Sequence, residues 1–194
     1  MSISDEEARN SLDQIQAVAS RTRKSIAASY DSGLLIMWGL ICVAGYLGTH
    51  FFLEWVWHIW MGLSGAGCIV TFWVVWRQLH LANPIKVPAT EKIGVRILLF
   101  WCLLFFYMFI WLCILKPRHG IQINAFMITI IMFAYVVSGL WLKSRHMFWL
   151  GIAVTCITLV GFYLIPPGYY CLWMAAMVGG AFLVTGIYVR LRWS

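Results

Sequence analysis

The sequence predicts an all-α integral membrane protein. Six transmembrane helices form a bundle of three helical hairpins, preceded by a short amphipathic helix on the cytoplasmic side. Three observations predict it. The 194 residues are 62% hydrophobic and 11% charged, with mean hydropathy +0.84, whereas a soluble domain is about half apolar and about a quarter charged. The apolar residues gather in six runs, each near the roughly 20 residues that cross about 30 Å of hydrocarbon. The basic residues fall in small groups between those runs, as topology signals do.

The runs are Leu34–Leu53, His58–Leu79, Ile93–Leu115, Ile121–Leu142, Met147–Ile165 and Tyr169–Val189. None alternates polar and apolar in the manner of an outer-membrane strand. In lipid a backbone must satisfy its own hydrogen bonds, so the runs are predicted as helices. The breaks agree. "ANPIKVP", "KPRHG" and "IPPG" put proline between runs two and three, three and four, and five and six. Proline has no donor for a helix interior and restricts the residue before it. "KSRH" breaks runs four and five by charge alone, and the turn near "FFLEWVW" is the least marked. The opening "MSISDEEARN" has no basic n-region and no early apolar stretch, so the first run is expected to stay in the membrane rather than be cleaved.

Lys and Arg set the direction. With the N-terminus inside, the inner segments hold Arg9, Arg21, Arg23, Lys24, Arg77, Lys86, Lys92, Arg96, Lys143, Arg145, Arg190 and Arg192, twelve in all. The outer turns hold Lys116 and Arg118. The positive-inside rule then predicts the cell (inner) membrane with both termini cytoplasmic. Trp55, Trp57, Trp60, Trp111, Tyr169, Tyr170 and Trp173 fall near the outer interface, and Trp76, Trp141, Trp149 and Trp193 near the inner one, where amphipathic rings settle. The net charge of +7 forms no single patch, so no nucleic-acid partner is predicted.

One stretch is written twice. "WMGLSGAGCIVTFWVVWR" from Trp60 and "WMAAMVGGAFLVTGIYVR" from Trp173 align without gaps, sharing Trp60/Trp173, Met61/Met174, Gly67/Gly180 and Arg77/Arg190. The first and third hairpins are therefore read as similar, an internal repeat with a diverged middle copy. Gly62 and Ala66, Ala175 and Gly179, and Ala176 and Gly180 are small-xxx-small pairs. Lipid gives helices no hydrophobic drive to associate, so close contact at small residues predicts that spans two and six pack inside the bundle.

Residues 1–31 are a different material, polar and mixed in charge. "SDEE" reads as a capping box on Ser4 and Glu7. Ala8, Leu12, Ile15, Ala19, Thr22 and Ile26 follow at heptad spacing, with weak seam occupants. The helix either leads into span one, lies on anionic lipid through Arg21, Arg23 and Lys24, or docks on a protein partner. Residues 32–194 are the membrane domain.

The spans are bare of Asp and Glu at mid-depth, where ion-coupled transporters keep such groups at real cost. Arg96 starts span three and can snorkel to the interface. Asn124, Thr129, Ser138, Thr155 and Thr158 are neutral and are expected to bond helix backbones. Cys42, Cys68, Cys102, Cys113, Cys156 and Cys171 form no C-x-x-C pair and read as small hydrophobes. His50, Glu54 and His58, four apart across the first outer turn, with His119 in the second, are the one set of metal-ligand residue types. His50 and His58 are outer while His80 and His146 are inner, which does not suit a haem clamp. No cofactor is predicted. The leading expectation is a non-enzymatic subunit or accessory component of a membrane complex. The alternatives are a transporter for a neutral or lipophilic solute, motivated by the repeat and the glycine-rich spans and favoured by a central cavity lined by Asn124, Thr129 or Ser138 should one exist, and a membrane enzyme or redox protein using the outer His/Glu group.

Overall fold

The structure, a computed structural model, describes residues 32–81, 88–117, 119–142 and 144–193. It contains α1 (Ser32–Phe51), a 3-10 turn (Leu53–Trp55), α2 (Val56–Leu81), α3 (Pro88–Leu115), α4 (Gly120–Trp141) and α5 (Arg145–Leu164). A 3-10 turn (Pro167–Tyr169) then leads into one long rod. The rod is α6 (Tyr170–Trp173), a π-helical turn (Met174–Gly179) and α7 (Gly180–Trp193). About 94% of the described residues are helical and none is in a strand. The predicted arm, with Arg21, Arg23 and Lys24, lies outside the described residues.

Five stretches are long and apolar enough to cross a membrane: Ser32–Phe51, Leu53–Arg77, Gly120–Trp141, Arg145–Leu164 and Pro167–Arg192. The third predicted run falls on α3, whose described apolar part is Leu99–Leu115. The turn with the weakest sequence signal lies two residues earlier than expected. Phe52 leaves helical backbone (φ −128°, ψ 63°), and Leu53–Trp55 closes the corner. At the end of α3, Lys116 turns left-handed (φ 42°), and Pro117 then blocks continuation of the helix.

The long rod is the hub. α1 runs antiparallel to it with interlocking small residues: Leu183 seats over Gly39, Val43 over Gly179 and Ile36 over Gly186. α5 meets it where Trp173 lies over Gly161. α4 reaches it through Tyr135 edge-on to Phe182, centroids 5.8 Å apart. α4 and α5 are pressed together at two glycines, Gly139 against the Phe148 backbone and Gly151 against Met132 and Val136. α3 leans on α4 through Phe100 on Trp141 and Trp101 on Tyr135. α2 packs on α1, with Trp60 over Gly45, Ile59 over Gly48, and Ile41 and Trp38 over Gly67. Tyr46, Met132, Val154, Tyr170, Met174 and Val178 fill the centre.

Spans two and six were expected inside together, and only the sixth is. In the hub's apolar stretch 39% of residues are buried, against 6% in that of α2. Gly62 and Ala66 are exposed, and a methyl on Gly62 would meet nothing within 4 Å. The packed glycine of α2 is Gly67. On the hub, Ala175 and Gly179 face inward, whereas Ala176 is exposed and Gly180 faces open space. Successive residues point about 100° apart on a helix, so two overlapping small pairs cannot share one seam.

The two similar stretches diverge in surroundings. Trp60 and Trp173 each lie over a glycine of the preceding span and donate an indole N–H across the hairpin, to Thr49 Oγ1 at 2.9 Å and to the Ile157 carbonyl at 3.1 Å. Beyond them the match ends. Met61 is 59% exposed and Met174 0%, and Gly67 is packed where Gly180 is open. The π turn of the second stretch has no counterpart in α2.

Candidate functional site

A polar cluster that includes two buried tyrosines joins three spans. Tyr46 comes from α1, Asn124 from the second turn of α4 and Tyr170 from the first residue of α6. Asn124 is brought there by His119, whose extended backbone (φ −116°, ψ 135°) starts α4. Tyr170 is brought there by the Pro167–Tyr169 turn, closed by Tyr169 N donating to Pro166 O at 2.9 Å. Tyr170 Oη donates to Asn124 Oδ1 at 2.9 Å. Tyr46 Oη lies within reach of both amide atoms, donating to Oδ1 at 3.0 Å and accepting from Nδ2 at 2.9 Å. Both tyrosines are 2% exposed.

A buried hydroxyl without a partner is costly, and here the half-buried Asn124 side chain serves two of them. The Tyr46 ring meets Trp60 edge-on at 5.1 Å. Trp60 in turn donates to Thr49, whose hydroxyl donates to the Gly45 carbonyl at 2.8 Å. Chemically the cluster is neutral: it can fasten α1, α4 and α6 to one another.

The structure does not bring the predicted metal group together. Among the described residues, which include His50, Glu54, His58 and His119, no three His, Cys, Asp or Glu side chains are placed to hold a metal ion. His50 lies on α1, Glu54 in the 3-10 turn and His58 on α2. His50 packs edge-on to Phe51 and His58 against Trp55. All six cysteines are free thiols.

The neutral residues of the spans divide. Thr129, Thr155 and Thr158 donate to carbonyls of their own helices, Ala125, Gly151 and Val154. Thr129 and Thr155 also line an open-sided groove of about 250 Å³ between α4 and α5, with Phe133, Val136, Ile152 and Cys156. Ser138 Oγ is buried without a hydrogen-bond partner among the described residues. Asn124 alone among them bonds side chains of other spans. Tyr46 was not singled out in the sequence, and Tyr170 only as a ring near the outer interface. The available signal was depth: both lie near the same ends of their spans as Asn124.

No family model, no curated protein and no solved structure matches the chain. Fold and site therefore define a class: a helical bundle with spans suited to a lipid bilayer, fastened inside by an uncharged tyrosine–asparagine cluster.

Proposed function

We propose that the protein is a non-enzymatic component of a cell membrane, six-spanning with both termini cytoplasmic, that acts as a subunit or accessory by binding a protein partner. The observation that carries this reading is α2. It is a 26-residue helix packed along α1, with only 6% of its apolar stretch buried. Its exposed side presents Gly62, Gly65 and Ala66. Small residues on a lipid-facing side let a second helix approach closely. The bundle's own centre is filled by Tyr46, Met132, Val154, Met174 and Val178, which weighs against a solute path through it.

The test is purification of the full chain from its native membrane in mild detergent, beside Gly62→Leu. A methyl at Gly62 meets nothing in the bundle, so the variant should keep its thermal stability. A stoichiometric partner that is retained by the parent and lost from Gly62→Leu supports the reading. A chain that stays alone under every condition, or a partner indifferent to the substitution, overturns it.

A further inference from the structure

The hub is α-helical at both ends and π-helical between them, over Met174–Gly179. Each end has its own fastenings, and Phe182 of α7 also meets Tyr135 of α4. On one side of the π turn, Tyr170 donates to Asn124 of α4 at 2.9 Å and Trp173 to the Ile157 carbonyl of α5 at 3.1 Å. From the last residue of the turn onward, Gly179 and Gly186 lie against Val43 and Ile36 of α1, and Leu183 fills the space over Gly39.

A π turn closes its hydrogen bond at i→i+5 where an α turn closes it at i→i+4, so it holds one residue more. Suppose the rod became α-helical throughout while α7 stayed on α1. The Tyr170 end would turn by about 100° and shift by about 1.5 Å. Tyr170 would leave Asn124, and Trp173 would leave Ile157. With the Tyr170 end held instead, Gly179 and Gly186 would leave α1. Both sets of contacts persist together only while the wide turn does.

We propose that this turn is a switchable element, and that the Tyr46–Asn124–Tyr170 cluster is the latch that sets it. With the latch closed the hub is π-helical at Met174–Gly179. With it open, the turn relaxes to α and the Tyr170 end rotates, while the α1–α7 seam stays fixed. The side chains inside the turn suit such a change. Ala175 and Gly179 have little bulk, and Met174 is flexible enough to repack. Ala176 and Met177 point outward. Single π turns within α-helices are often found at functional positions.

Hydrogen exchange read by mass spectrometry on the full-length protein in nanodiscs tests this. Passage between the π and α forms breaks the turn's backbone bonds, so Tyr170→Phe and Asn124→Leu should each raise exchange across Met174–Gly179 roughly five-fold, the factor by which loss of one hydrogen bond shifts an equilibrium. The α4–α5 hairpin and the end of α7 should not change. Deleting Ala176 removes the extra residue, so Tyr170→Phe should add nothing in that background. Unchanged exchange in both latch variants overturns the proposal. So does an increase spread evenly over α1, α4 and α5, or a Tyr170→Phe effect that survives the deletion.

Discussion

A methyl group on Gly139 would lie 2.6 Å from the Phe148 amide nitrogen and 2.9 Å from its Cα. Neither atom can move without moving α5. Gly139→Ala should therefore cost about 1–3 kcal/mol, the range for overpacking a tight contact, seen as earlier thermal unfolding in detergent. Gly62→Ala should stay within about 0.5 kcal/mol of the parent, as surface changes do. Equal losses for the two would contradict the packing. Lys116 offers the opposite sign. Its φ of 42° costs an L-residue about 1–2 kcal/mol, so Lys116→Gly should raise the midpoint of unfolding. Spacing in the sequence identified Gly62, Ala66, Ala175 and Gly179 as small. It could not tell which of them face a helix, because that depends on the rotation of each span about its axis.

α2 is held to α1 by two indole bonds set at different depths. Trp38 Nε1 donates to Thr71 Oγ1 at 3.1 Å, and Trp60 Nε1 to Thr49 Oγ1 at 2.9 Å. A double-mutant cycle of Trp38→Phe with Thr71→Val should give a coupling of about 0.6 kcal/mol, the average for such bonds between membrane helices. A coupling indistinguishable from zero would remove that bond from the account of the seam. The helices themselves were legible, since apolar length and the proline breaks mark them. The π turn was not. Met174, Ala175, Ala176, Met177 and Val178 carry no local signal for i→i+5 bonding. What flanks it is tertiary contact, with α4 and α5 at one end and with α1 and α4 at the other.

The six apolar runs were readable in the whole chain, but the identity of the hub was not. The five long spans have mean hydropathies between 1.6 and 2.0, whether central or peripheral. Lipid tails are as apolar as leucine, so hydrophobicity does not separate a buried helix from one facing the bilayer. The proposed orientation rests on different residues, the twelve Lys and Arg assigned to the inner segments against Lys116 and Arg118 in the outer turns. Moving a charge across the membrane potential is worth about 2.3 kcal/mol per 100 mV. In a cysteine-free background, Arg118→Cys should react with an impermeant thiol reagent in intact cells and Lys86→Cys should not. The reverse pattern would invert the protein, and reaction at both positions would change the number of spans between them.

The hub is made after every helix it joins. At a synthesis rate of about 5–20 residues per second, α1 waits several seconds in the membrane before Gly179 and Gly186 reach it. During that interval its Gly39 face and the Tyr46 hydroxyl lack their hub partners, while the α4–α5 hairpin can already close on Gly139 and Gly151. The expected order of assembly is therefore hairpins first, then one late helix that draws them together. A chain stopped after Leu164 should keep a protease-resistant α4–α5 hairpin and leave the hub-facing side of α1 open to capture. Quality-control factors that recognise unpaired membrane helices would act in that same window.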